Sequence, residues 1–196
     1  MNTLKKFRNL KSFLISILLI CLVGLGCQPE GGEFVPVPAD GIEIVTSRSE
    51  KDTALFNENG LKIKVYGDWN QNYVHLRIGF NNESDQIAKV KLERIVIKDG
   101  KGQVAKLTTI SEKPDFNLIY DGKDKNLPAL NLKINEKKSF NLEFAALVNF
   151  SGSDDSAKII EVILPFESNG QIRELKTQLK AVGNKDSSGK SDPEDF

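Results

Sequence analysis

The chain has 196 residues, 27 Lys or Arg against 27 Asp or Glu, one histidine and two cysteines. That balance offers no strongly basic surface for nucleic acid, and one His with two Cys falls short of the ligand sets that zinc sites use. The count also makes His75 the only base a Ser-His-Asp triad could employ, and no G-x-S-x-G nucleophile elbow occurs.

Residues 1–26 read as an export signal. Lys5, Lys6, Arg8 and Lys11 form a positive start without an acidic residue, and Phe13 to Leu25 is almost wholly apolar, the length of a signal-peptide core. Crossing about 30 Å of hydrocarbon takes roughly 20 apolar residues, so the run is short for a transmembrane helix. Gly24-Leu25-Gly26-Cys27 resembles a lipobox, the motif after which lipoprotein signal peptidase cuts. The resemblance implies a bacterial lipoprotein with Cys27 as the lipidated residue, held to a membrane by palmitate-type chains. Two such chains attach stably where one is marginal. Gly24 stands where lipoboxes usually carry Leu, which leaves ordinary signal-peptidase cleavage as the alternative. Gln28, rather than Asp, follows Cys27, which by the family's sorting pattern points to the outer membrane of a cell envelope, with the domain periplasmic or surface-facing.

Processing changes the charge and the thiols. With the four leader cations removed, 27 bases become 23 against 27 acids, a net charge of about −4. Cys21 leaves with the leader and Cys27 carries lipid, so the mature chain has no intrachain disulfide and no cysteine-based site. About 170 mature residues are enough to build a core without such staples.

Residues 27–40 read as the lipidated cysteine and a flexible tether, since Pro36 and Pro38 favour extended backbone. Phe34, Val35 and Val37 make a candidate edge strand there. The domain proper is expected over 41–182, followed by a disordered tail over 183–196, which holds almost no apolar residue. Within the domain, apolar residues alternate with polar ones in runs: Leu61, Ile63, Val65; Val74, Leu76, Ile78, Phe80; Leu130, Leu132, Ile134; Phe140, Leu142, Phe144, Ala146; Ile160, Val162, Leu164, Phe166; and Leu175, Leu179, Ala181 around Thr177. A period of two is the mark of half-buried strands. Asn59-Gly60, Asp99-Gly100 and Asn169-Gly170 supply turn residues that tolerate positive φ. From Val90 and Leu92 to Ile95 and Ile97 the apolar phase slips by one, which calls for a bulge near Glu93-Arg94 or a strand crossing between sheets. Residues 171–182 fit a strand or a helical stripe.

Strands at this spacing without a long helix predict an all-β antiparallel sandwich of about 8–10 strands behind an N-terminal signal helix. Tyr73 to Gly102 resembles a stretch common in immunoglobulin-like domains of exported bacterial proteins: an apolar strand ending in Phe80-Asn81-Asn82, a polar turn, then a strand running into Asp99-x-x-Gly102. The resemblance implies the fold and no functional residue.

Chemistry is sparse. His75 falls on the outward phase of its strand and reads as inert. The loops 121–126 and 151–156 carry Asp and Ser oxygens without the alternate spacing of a calcium loop, and Lys123 and Lys125 repel a cation; Asp154 and Asp155 are the weak exception. No cofactor, metal or catalytic residue is expected. Trp69, in a polar stretch, reads first as folding back to cap the sandwich; if the domain binds a partner, Trp69 with Tyr66 and Tyr73 at the ends of that stretch, and Phe116 and Tyr120 in the long segment 110–128, are the candidate binding residues. The expectation is a non-enzymatic binding or structural module with a protein or glycan partner. The rivals are a periplasmic assembly factor of an envelope complex and, further off, a hydrolase with two facing carboxylates.

Overall fold

The computed structural model describes residues 31–46, 52–115, 117–122, 127, 129–145, 150 and 158–183; the leader, Cys27, Phe116, the acidic loop at Asp154 and Asp155, and the tail from residue 184 lie outside them. The described residues form thirteen strands: β1 (Gly31–Pro36), β2 (Ile42–Thr46), β3 (Asp52–Glu58), β4 (Leu61–Asn70), β5 (Tyr73–Asn82), β6 (Ala88–Val90), β7 (Val96–Asp99), β8 (Leu107–Glu112), β9 (Asn117–Tyr120), β10 (Leu130–Leu132), β11 (Lys137–Ala145), β12 (Ile159–Ser168) and β13 (Gln171–Gly183). Every pairing among them is antiparallel.

The long strands follow from the alternation. In β4 and β12 every second residue is buried, so one face of each strand removes Leu, Ile, Val and Phe from water while Lys, Glu and Tyr stay outside. A fully buried side chain of that size stabilises by about 1.5–3 kcal/mol. The hydrogen-bonded path runs β10-β6-β12-β13-β1-β4-β5-β11-β8-β9, with β2 and β3 added on β4 and β7 added on β12. The path folds into two layers: Phe56 of β3 meets Phe166 of β12 edge-on, with ring centroids 5.8 Å apart. The result is an antiparallel all-β sandwich, with more strands than the apolar runs predict because β2 and β9 are short and the stretch from Val90 to Ile97 divides into β6 and β7.

Four local expectations need correction. First, the tether is not flexible from Gly31 on. Gly31–Pro36 is β1, which pairs with β13 on one side and β4 on the other and joins the two layers. Phe34 is 2 % exposed and packs on Phe150 at 5.6 Å, so a strand expected at an edge is central. Second, the phase slip is neither a bulge nor a crossing. A single 3-10 turn, Leu92–Arg94, separates β6 from β7, and both pair with β12. The gap falls opposite Pro165, between Phe166↔Val90 and Ile163↔Val96; proline has no N–H to give that ladder. Third, Asn59-Gly60 and Asn169-Gly170 do take positive φ, but after Asp99 the left-handed residue is Gly102. Asp99 holds that loop by accepting the Lys101 and Gln103 N–H groups at 2.9 and 2.8 Å. Fourth, Ile134 lies past the end of β10 and is 50 % exposed. Residues 171–183 are a strand, pairing along their length with β12 and β1.

Candidate functional site

The outward face of β4, β5, β11 and β8 carries the polar cluster, because the residues between the buried ones share that side. Pairing places them in rows. Asp68, His75, Glu143 and Thr109 form one row across the four strands, and Tyr66, Arg77, Asn141 and Ser111 form the next. Together with Leu76 and Leu142, most of these line an open groove of about 230 Å³.

His75 is the centre of the first row. Its Nδ1 lies 2.9 Å from Asp68 Oδ1 and its Nε2 lies 3.3 Å from Glu143 Oε2. Glu143 Oε1 in turn accepts from the Thr108 hydroxyl at 2.9 Å. That last contact depends on a bulge: Glu143 faces Thr109 but Phe144 faces Leu107, so Thr108 is the extra residue and turns onto the same side. The Asp68 hydrogen bond raises the His75 pKa above the ordinary value; burial opposes it, and the charges of Asp68 and Glu143 add to the rise. Only the imidazolium donates from both nitrogens at once, so the ring is a clamp between two carboxylates. While it is so held, neither nitrogen has a lone pair to take a proton from a nucleophile. Asp68 and Glu143 reach the ring from opposite sides, and among the described residues no group of three His, Cys, Asp or Glu side chains is placed to hold a metal.

The clamp has a consequence for stability. A histidine whose folded pKa is raised contributes stability that is complete below the unfolded value, near 6.5, and is lost as pH rises through the folded value. Two half-exposed pairs at roughly 0.2–1 kcal/mol each set the scale. We expect urea melts to show that the gap in stability between wild type and His75→Gln is on the order of 1 kcal/mol at acid pH and shrinks on going to alkaline pH. A gap that grows with pH would sink the clamp.

The sequence-based candidates divide between the two sides of this sheet. Trp69 is no exposed anchor. β4 runs on to Asn70, Trp69 shares the inward phase of Leu61, Ile63 and Val65, and it is 5 % exposed with its ring 5.3 Å from Phe150. The turn is Gln71-Asn72, held by Asn70 Oδ1 accepting the N–H groups of Asn72 and Tyr73 at 2.9 and 2.8 Å. Tyr66 and Tyr73 do face outward. The Arg77 guanidinium lies 5.7 Å from the Tyr66 ring, and Tyr73, 38 % exposed, stacks on His75 at 6.1 Å. Tyr120 is half-buried on β9, packed against the core rather than in the groove. Phe116 lies outside the described residues. Sequence reasoning placed His75 on the outward phase but read it as inert, and it passed over Asp68, Arg77, Asn141 and Glu143. The tight turn at Asn70 makes Asp68 opposite His75 inferable, but Glu143 is 68 residues away from His75 and no local signal pairs them.

No family model and no curated protein matches the chain.

Proposed function

We propose that the chain is a bacterial lipoprotein that acts as a non-enzymatic binding module of the cell envelope: an immunoglobulin-like sandwich, anchored through lipid on Cys27, with its ligand seated in the outward groove of β4, β5, β11 and β8. The groove is the observation that carries the reading. It gathers imidazole, guanidinium, carboxylate, amide and hydroxyl groups from four strands of a rigid sheet. Sites on strands hold their geometry better than sites on loops. At about 230 Å³ it is smaller than the roughly 300–1,000 Å³ of pockets that enclose a drug-sized molecule. It suits one residue of a longer protein or glycan partner, with Tyr73 as an exposed aromatic at its rim.

Two measurements test this. Metabolic palmitate labelling should mark the wild-type chain and not Cys27→Ser, which should leave the membrane fraction. Intact cells carrying the protein should then retain at least one member of a panel of envelope glycans and matrix proteins, and Arg77→Ala should abolish that retention. Label on Cys27→Ser removes the anchor; a panel that never separates wild type from Arg77→Ala removes the groove.

A periplasmic assembly factor is the second reading. It is favoured by β9, which among the described residues pairs only with β8 and exposes Leu118 and Ile119; such edges invite added strands. External protease applied to intact cells separates the two. Loss of the domain supports surface capture, and survival until lysis supports the periplasmic role.

A further inference from the structure

The outward groove of β4, β5, β11 and β8 is suited to one class of ligand. Its charged lining side chains are Asp68, His75, Arg77 and Glu143. Two carboxylates are set against a guanidinium and the imidazolium held between them, so the lining carries no surplus of either sign. A surplus of one sign is what draws a charged ligand into a cleft, and without it neither a phosphate nor an amine is favoured.

A peptide has two main ways of binding a sheet, and neither is open here. Adding its backbone as a further strand needs an unpaired edge, but β4, β5, β11 and β8 are each paired on both sides. Anchoring by an apolar or aromatic side chain needs a desolvated apolar pocket. The groove's two leucines, Leu76 and Leu142, are buried in the core and show a ligand no apolar surface.

The accessible groups are polar, with one aromatic ring. The side chains of Asp68 and Glu143 are 35 % and 31 % exposed. His75 takes only Oδ1 of Asp68, whereas a carboxylate offers about four acceptor sites. Thr109 and Ser111 stand half-buried on β8 and bring hydroxyls that donate and accept. Tyr73 lies two residues from His75, about 7 Å along β5, and its neighbour on β11 is the small Ala145, which leaves the ring exposed.

Given that the groove is the binding site, we infer that its ligand is a neutral glycan, with one sugar ring donating to Asp68 and the adjoining sugar packed on Tyr73. A pyranose carries no charge and sets its hydroxyls in adjacent pairs, which one carboxylate accepts together. Its C–H face packs on the apolar body of an aromatic ring.

Calorimetry on the full chain, in a detergent without a sugar headgroup, tests the ligand class. The probes are neutral oligosaccharides of glucose, mannose, galactose and N-acetylglucosamine, with oligogalacturonate as the anionic counterpart. At least one neutral probe should bind saturably, and oligogalacturonate should not. Asp68→Asn should weaken that binding roughly tenfold or more, because the amide keeps an oxygen for His75 but replaces the second acceptor with a donor. Tyr73→Ala should weaken it as much, and it serves alone should Asp68→Asn fail to fold. Ile172→Ala, exposed on the other layer, should leave it unchanged. Binding of the anionic probe alone, or neutral binding that survives either folded variant, overturns the inference. Retention of a deglycosylated matrix protein that Arg77→Ala abolishes, with no neutral probe bound, overturns it and leaves the groove as the site. Binding of neither kind removes the groove as well.

Discussion

Replacing Asn82 by alanine is expected to cost about 3–4 kcal/mol of stability, while the same change at its neighbour Asn81 costs under about 1 kcal/mol. Asn82 is fully buried at the end of β5, where three segments meet. Its Nδ2 lies 2.7, 2.9 and 3.2 Å from the carbonyls of Gln86, Leu132 and Lys133. Its Oδ1 accepts the Ser84 hydroxyl at 2.5 Å and the Ser84 N–H at 3.2 Å. Its own backbone joins the turn between β10 and β11, donating to Glu136 and accepting from Asn135 at 3.0 and 2.7 Å. Alanine keeps the backbone bonds and orphans the rest, and each buried group left without a partner costs about 1–3 kcal/mol. Not every loss is additive, because water can reach some of these groups, so the total stays below the sum. For a domain of this size each kcal/mol moves the melting temperature by roughly 2–4 °C, so Asn82→Ala should melt roughly 6–16 °C lower. Asn81 is the control because its side chain makes a bond to Glu83 at the rim. Equal losses from the two alanine variants in a thermal melt would show that Asn82 is no hub.

Gly32→Ala is expected to be as damaging, through backbone rather than hydrogen bonds. Gly32 lies in β1 where β13 and β4 converge on it, opposite Gly183 and Trp69. A Cβ there would sit 1.9 Å from the Val182 carbonyl oxygen and 2.9 Å from Trp69 Nε1. Side chains can swing away from such a clash, but the Val182 carbonyl cannot move without dragging β13. Overpacking of this kind costs about 1–3 kcal/mol and at times more, and we expect the upper end, about 3 kcal/mol, because β1 is the strand that joins the layers. Denaturant melts monitored by Trp69 fluorescence should report both the lower midpoint and a changed native signal, since Trp69 is one of the two contacts. An unchanged midpoint would mean that β1 is not held as a central strand.

These two residues also mark what could be read without coordinates. The stretch ending Phe80-Asn81-Asn82 and running to Asp99-x-x-Gly102 stood out as a pattern, and its chemistry proves to be that of turns: Asn82 organises one and Asp99 the other. Nothing local distinguishes Asn82 from Asn81; the phase of the strand and the arrival of Leu132, fifty residues on, do so. Trp69 was open to a correct reading by counting in twos from Leu61, but the polar residues beside it look like a turn, and polar neighbours outweigh phase when a strand is assigned by eye. Gly31–Pro36 failed for a related reason. A short segment rich in Gly and Pro has weak strand propensity, and its place between β13 and β4 is a property of those strands.

By itself the sequence determined the all-β class, most of the long strands, which of their residues are buried and two of the tight turns, because alternation and turn chemistry act over a few residues. It also set the absence of cysteines beyond Cys27, and with it a domain that depends on its apolar core. Tertiary structure alone decided that β1 is central, that His75 is held between Asp68 and Glu143, and that Asn82 reaches the Leu132 carbonyl. Each of those depends on which strands lie side by side and in what register. Register between distant strands is chosen by the fit of whole faces, a sum over many contacts that no short stretch of residues contains.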